Sequence, residues 1–329
     1  MSSSPRPEVA VVIPCYKVKA AVLKVIESIG PEVDVIICVD DCCPDGSGRF
    51  ILDHNTSPRV RVLFHDVNKG VGGAMLTGYK EAVALGARVV VKVDGDGQMD
   101  PALIPRFIGP ILRGEADYTK GNRFNRVEDV ASMPPVRLFG NAVLSFMSKL
   151  SSGYWTLFDP TNGYTAIHTA VLRELPLDRI ANRYFFESDM LFHLGCVRAV
   201  VCDIPMTAVY GDEVSNLHIR QIVGPFLAGH LRNFSRRIFY NYFLRDFHAA
   251  SVELVLGLIL TVFGLGLGLE AWVSGQISGT PSLPGTVVLV AMSLLAGLQM
   301  LLAALNFDIQ AVPKTPLHPR LETDRNGSD

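Results

Sequence analysis

An α/β fold with a mostly parallel sheet is predicted by three features of the amino-acid sequence. Short apolar runs alternate with helical apolar patterns through the first part of the chain. The runs are continuous rather than alternating, as expected for strands covered on both faces. A polar cluster follows each run directly, and ligands of such sheets bind beyond the carboxyl ends of the strands.

The elements follow in order. Val9–Ile13 reads as a buried strand, and Ala20, Ala21, Leu23, Val25, Ile26 and Ile29 as the apolar face of a helix. Val33–Val39 is the second strand, Phe50–His54 closes a short helix, and Val60–Phe64 is the third strand. Gly70–Leu85 reads as a helix that buries Ala74, Met75, Ala82, Val83 and Leu85, and Ala87–Val93 as the fourth strand. The clusters Pro14–Lys17, Asp40–Gly48, His65–Gly73 and Asp94–Asp100 should therefore line one rim. Farther on, Ala116–Lys120 reads as a strand and Pro135–Leu150 as a helix. A tight turn at Pro160–Gly163 precedes the strand Thr165–His168. Tyr184–Leu194 reads as a helix with Glu187 and Asp189 near its start, and Ala199–Val201 and Met206–Val209 as closing strands.

Composition narrows the function. A net charge of −2 provides no basic field for nucleic acid. Six cysteines include no C-x-x-C pair, which argues against a zinc site or a disulfide framework and for reduced thiols in a cytosolic domain. Met1–Pro7 is polar, and Val9–Ile13 is too short for the apolar core of a secretory signal. Yet 49% of the residues are hydrophobic and the mean hydropathy is +0.28, with the excess near the C-terminus.

That excess lies in two uncharged stretches, Leu254–Leu269 and Gly285–Leu305. The second has the roughly 20 residues that a membrane crossing needs; the first reaches the lower limit if Ala271–Val273 complete it. Before them, Val214–Arg245 carries arginines at 220, 232, 236, 237 and 245, interleaved aromatics and no acidic residue. Such a segment suits a membrane surface. The positive-inside rule places it in the cytoplasm, and two crossings return the tail to the same side. The expected organisation is a catalytic domain at 1–211, a basic interface segment at 212–250, a transmembrane hairpin at 251–306 and a disordered cytosolic tail at 307–329. A homo-oligomer is compatible with this plan.

The chemistry concentrates at Val91-Lys92-Val93-Asp94-Gly95-Asp96-Gly97-Gln98. Two carboxylates on a rigid strand end suit Mg²⁺ or Mn²⁺ held together with a substrate diphosphate, and Gln98 can add a neutral oxygen. A calcium loop requires Gly and Glu where Met99 and Pro105 stand. Asp40, at another strand end, can accept hydrogen bonds from a base ring N–H. Arg123 and Arg137 can clamp phosphate oxygens.

The motifs together resemble the family 2 inverting glycosyltransferases. Val11-Val12-Ile13-Pro14-Cys15-Tyr16 is similar to the family's opening strand, and Asp40-Asp41-Cys42-Cys43-Pro44-Asp45-Gly46-Ser47 to its Asp-Asp-x-Ser-x-Asp-Gly loop. Asn68-Lys69-Gly70 resembles the next helix start, and Asp94-Gly95-Asp96-Gly97-Gln98 the metal motif. Lys120-Gly121-Asn122-Arg123 and Arg137-Leu138-Phe139-Gly140-Asn141 resemble the dolichyl-phosphate mannosyltransferase-like, polyprenyl-phosphate branch. The likeness covers residues 8 to 211. It implies a GT-A-type domain that moves one sugar from a UDP- or GDP-sugar to a polyprenyl phosphate or another lipid-linked acceptor at the cytosolic membrane face. It also places Pro14, Tyr16, Asp40, Asp41, Lys69, Gly70, Gly95, Arg123 and Arg137 around the donor, with Arg220 guiding the acceptor head group.

Gly211-Asp212-Glu213 stands where many relatives are more basic. A sugar-hydroxyl acceptor would need a base, and Glu187 or Asp189 is the candidate; a lipid phosphate is already ionised near neutrality. The Gln-x-x-Arg-Trp motif of processive synthases is missing, as is a G-x-G-x-x-G dinucleotide loop after the first strand. A non-catalytic membrane partner is the remaining rival.

Overall fold

The computed structural model describes residues 8–124, 135–207 and 219–326; the side chains of residues 135–137, 219–222 and 325–326 lie outside that description. The chain forms two compact units. One comprises residues 1–234 and 313–329, the other residues 235–312.

The first unit is built on a seven-stranded sheet: β1 (Val9–Cys15), β2 (Val35–Asp40), β3 (Val60–Phe64), β4 (Val89–Lys92), β5 (Tyr118–Asn122), β6 (Thr165–His168) and β7 (Val201–Pro205). Its order is β3-β2-β1-β4-β6-β5-β7. Only β6 runs against its neighbours, pairing antiparallel with β4 and β5. The reversal has a use: Lys92 at the end of β4 faces Thr165 at the start of β6, so the turn before β6 arrives at the same rim as the loops after β1, β2 and β4. β1, β2 and β4 are buried almost throughout, which explains their mostly apolar runs.

Helices α1 (Val22–Ser28), α2 (Ser47–His54), α3 (Gly70–Leu85) and α4 (Ile104–Leu112) link the first strands. α3 lies close on the sheet because Gly78 has no side chain; a Cβ there would overlap Val12. α5 (Pro135–Ser152), α6 (Thr169–Glu174), α7 (Phe186–Val197) and α8 (Ile219–Phe239) follow; the boundary between the units falls within α8, after Phe234. The expected Gly70–Leu85, Val60–Phe64 and Thr165–His168 match the structure to the residue. α4 was not anticipated, since Pro101, Pro105 and Pro110 break up its pattern. Of the two expected closing strands, the first lies at Val201–Pro205; the second, Met206–Val209, runs into residues 208–218, which with Gly211-Asp212-Glu213 lie outside the described residues.

The second unit is a helical hairpin, α9 (Ala249–Ser278) and α10 (Pro284–Gln310), entered through a π-helical turn at Tyr240–Arg245. Both helices are long and apolar enough to cross a membrane, and little of either is buried. They pack through small residues: Thr261 and Gly257 lie against Gly297. Arg237 forms a buried two-point ion pair with Asp308, at 2.6 and 2.9 Å, and Tyr242 donates to the same carboxylate at 2.9 Å.

The expectation of a disordered tail from 307 is corrected. α10 continues to Gln310, and α11 (His318–Asn326) forms part of the first unit. The anchor is Asp117, fully buried just before β5. Its carboxylate accepts from the amides of Leu317 (2.8 Å), His318 (2.9 Å) and Val200 (2.8 Å) and from His318 Nδ1 at 2.7 Å. His318 stacks on His168 with ring centroids 4.2 Å apart. The polar composition of the tail conceals this, because the docking depends on one buried carboxylate two hundred residues away.

Candidate active site

The rim at the carboxyl ends of β1, β2 and β4 gathers most of the expected residues, and their partners divide them by role. Asp40 and Asp41 shape the rim. Asp40 is buried; Oδ1 accepts from Cys43 N at 2.8 Å and Oδ2 from Gly48 N at 2.5 Å. The loop's own amides thus orient this carboxylate, each taking one lone pair of an oxygen expected to face a base. Asp41 accepts from Lys69 N (2.8 Å), Gly70 N (2.7 Å) and His65 Nδ1 (2.8 Å), fixing the start of α3. A carboxylate at a helix N-terminus satisfies amides that have no intrahelical partner. Gly70 has φ +84°, and a Cβ would press on Asn182 O at 2.7 Å. Lys69 and Tyr16 are exposed at this rim, while Pro14 is half-buried in β1.

The loop after β4 holds Asp94, Asp96 and Gln98, all half-buried, with Gly95 packed beneath against Ile13 and Val18. Gln98 N donates to Asp96 Oδ1 at 3.0 Å, which orients that carboxylate. Lys92, two residues earlier, is 2% exposed and reaches Asp94 Oδ1 at 2.8 Å and Glu187 Oε1 at 3.5 Å. Burial alone would lower the lysine pKa, but the attraction of Asp94 and Glu187 outweighs it and holds the group above its ordinary value. Opposite lies the Asp159–Tyr164 turn. A Cβ on Gly163 would overlap Lys92 Nζ and stand 3.1 Å from Asp94 Oδ2, so a side chain on this wall would displace the ammonium.

The next groups are structural. Arg123 holds Asp159 through a fork, Nε to Oδ2 at 2.8 Å and Nη2 to Oδ1 at 3.0 Å. It is therefore a brace of the turn rather than the expected phosphate clamp. Asn162 is buried; its Oδ1 accepts from Tyr164 N at 2.9 Å, and its carbonyl accepts from Lys120 Nζ. Burial lowers the Lys120 pKa to about 8. Burial likewise raises that of Asp203 to about 6. Asp189 is buried rather than open at the rim: Oδ2 accepts from Ala181 N at 2.8 Å and Oδ1 from Asn233 Nδ2 at 2.7 Å. Glu187, at the same helix start, does face the Lys92 corner. The side chains of Arg137 and Arg220 lie outside the described residues.

The residues present fit a hard divalent cation. Two carboxylates and an amide oxygen stand on one rigid loop, and the described residues contain no cluster of three His, Cys, Asp or Glu groups placed to hold a metal. The protein would supply two carboxylates, leaving the other positions to phosphate oxygens and water, as Mg²⁺ sites with nucleotides commonly do. Lys92 was missed from sequence. The available signal was a single lysine inside the apolar run Val89–Val93, because a lysine buried on a central strand must find carboxylates.

A mostly parallel sheet with an acidic pair beyond a central strand defines a GT-A-like transferase fold. Glucosyl-3-phosphoglycerate synthase from Mycobacterium tuberculosis, in complex with Mn²⁺, UDP-glucose and phosphoglyceric acid, shares it at TM-score 0.52 and 20% identity, over 70% of this chain and 79% of that one. Mannosyl-3-phosphoglycerate synthase from Rubrobacter xylanophilus does so at TM-score 0.53 and 18% identity, over 74% and 77%. Residues 10–176 match the model of glycosyl transferase family 2. A UDP-N-acetylglucosamine–dolichyl-phosphate N-acetylglucosaminyltransferase of Methanococcus voltae is 29% identical over 215 residues, covering 61% of this chain and 85% of the relative. An undecaprenyl-phosphate mannosyltransferase of Micrococcus luteus is 31% identical over 181 residues, covering 54% and 73%. The chain belongs to glycosyl transferase family 2 and is a glycosyltransferase.

Proposed function

We propose that this enzyme transfers one sugar from a nucleoside-diphosphate sugar to a polyprenyl phosphate at the cytosolic face of a membrane, with Mg²⁺ or Mn²⁺ at Asp94, Asp96 and Gln98. The observation that carries the reading is the Asp94–Asp96 loop walled by Gly163, in a chain whose relatives are named for dolichyl- and undecaprenyl-phosphate transfer. Bound there, the cation would neutralise charge on the departing nucleoside diphosphate. An acceptor phosphate oxygen attacks the anomeric carbon, the bond to the diphosphate breaks, and the configuration inverts.

The arrangement of the acids favours a phosphate acceptor over a hydroxyl. A hydroxyl must lose its proton to a base. Asp189 is enclosed by its own hydrogen bonds, and Glu187 is paired with Lys92. An ionised phosphate needs neither. We read residues 1–211 as the catalytic part, completed by the returning tail, residues 212–250 as the membrane-surface segment and 251–306 as the crossing. The arginines that precede the hairpin support placing its leading end in the cytoplasm, and two crossings return the chain to the same side. On α8, Val223, Leu227 and Leu231 are exposed at helical spacing beside Arg232 and Arg236, as an interfacial helix requires.

The test is transfer by the purified full-length protein from a panel of radiolabelled UDP- and GDP-sugars, with and without polyprenyl phosphate, and with EDTA. A lipid-extractable product that requires the polyprenyl phosphate and disappears with EDTA is expected. A product formed only on a sugar hydroxyl, or full activity in EDTA, would refute the reading.

A further inference from the structure

Lys92 has a place in this site that the transfer chemistry does not by itself require. Its stem is buried in β4, and its ammonium lies between two acids from different parts of the fold, Asp94 on the following loop and Glu187 at the start of α7. With a side chain 2% exposed and an attachment two residues before Asp94, it has no room to withdraw. Gly163 closes the opposite side, where a Cβ would overlap the ammonium. A divalent cation that settles on Asp94 therefore meets a fixed positive charge held by the same carboxylate. Even with the screening of bulk water, repulsion at such distances weakens binding by at least about one order of magnitude, and burial strengthens it.

We propose that Lys92 is a positioning residue that makes metal binding conditional on the donor. It orients Asp94 by holding Oδ1, and it offsets enough negative charge that the free site binds Mg²⁺ or Mn²⁺ weakly. The donor's diphosphate brings the missing negative charge, so cation and donor each strengthen binding of the other. Such coupling is reciprocal by linkage. Glu187, 3.5 Å from the ammonium, then serves as the second counter-ion of the buried lysine, which gives this acid a role that does not require it to be a base. The inference rests on the metal-dependent reading above and adds an order to it: the corner is filled as a cation–diphosphate pair.

The experiment is a Mn²⁺ titration of the purified full-length protein in detergent, followed by electron paramagnetic resonance, first without nucleotide and then with UDP or GDP. For Lys92→Met, Mn²⁺ affinity without nucleotide should rise at least about tenfold, and the gain on adding nucleotide should shrink by a similar factor. Lys92→Arg keeps the charge and should retain most of the coupling. Lys92→Met with Glu187→Gln removes one charge of each sign, should fold where the single variant does not, and should bind Mn²⁺ close to the native affinity. A purely structural lysine would instead give equal or weaker Mn²⁺ binding in a folded Lys92→Met protein, with unchanged coupling, and that result overturns the proposal. Failure of the underlying reading looks different: the native protein would bind no Mn²⁺ even with nucleotide, or would bind it equally well after Asp94→Asn and Asp96→Asn.

Discussion

The two ends of the sheet in the first unit use acidic residues in opposite ways. At the carboxyl-end rim, Asp94 and Asp96 remain half-buried on a short loop, and the one lysine among them is an internal counter-ion. At the amino-end edge, Asp117 is fully enclosed and collects hydrogen bonds from Leu317, His318 and Val200. Both groups sit next to a strand in similar sequence settings. An acid beside a strand is thus ambiguous until its partners are known. Where it is buried among backbone amides, as at Asp117, Asp40 and Asp41, it organises the chain. Where it stands half-buried on a rim loop, as at Asp94 and Asp96, a ligand can reach it.

Substitutions at the two ends should separate these roles. The largest effect on activity is expected from Asp94→Asn or Asp96→Asn: kcat/KM should fall by roughly three orders of magnitude, since the metal is worth several kcal/mol of charge stabilisation. For Asp96→Asn the melting temperature should change little, as checked by transfer assays beside thermal unfolding, whereas Asp94→Asn also takes the nearest counter-ion from the buried Lys92 and should cost stability as well. Asp117→Ala should do the reverse. It strips partners from several buried amides at about 1–3 kcal/mol each. Stability should fall by a few kcal/mol and limited proteolysis should release the tail, while the folded fraction keeps its activity. Loss of activity without loss of stability at Asp117 would break the comparison.

Gly163→Ala is expected to fall between the two. Its Cβ meets the Lys92 ammonium, and overpacking at such a spot costs about 1–3 kcal/mol. Activity should drop more than stability, because the displaced group holds Asp94. The smallest expected effect is a pH slope at the amino-end edge. Burial, then the neighbouring His318 and Arg88, lowers the His168 pKa to about 3 from 6.5. Between those values the unfolded chain binds more protons than the folded one, so the stability of the neutral histidine is present at neutral pH and lost as pH falls from 6.5 toward 3. His168→Asn, which retains an acceptor for Ala170 N, should flatten that slope by up to ~1.4 kcal/mol per pH unit. Chemical denaturation between pH 4 and 7 measures it; an unchanged slope would assign the acid sensitivity to another group, such as His230, whose pKa burial lowers to about 4.

The sheet was legible because burial of its central strands leaves mostly apolar runs at β1, β2 and β4, and β3 and α3 were placed to the residue. The metal loop was legible because an Asp-x-Asp with adjacent glycines stands at a strand end. Other roles depended on pairings that sequence order hides. Arg123 resembled a phosphate clamp until Asp159, in the distant turn before β6, took its fork. Asp189 resembled a base until Ala181 and Asn233 enclosed it. The tail resembled solvent-borne chain because its composition is polar, while the group that holds it belongs to β5's approach. Local pattern reports burial and turns well; it says little about which distant partner neutralises a charge.

The most direct test of the account is a crystallographic or cryo-electron-microscopic structure with Mn²⁺ and the nucleoside diphosphate of the active donor, the ion located by anomalous scattering or as the strongest map peak. The expected result is one ion between the carboxylates of Asp94 and Asp96, also touching diphosphate oxygens, with Lys92 still on Asp94. A nucleotide seated at this rim with no ion at those carboxylates, or an ion bound elsewhere, would contradict it.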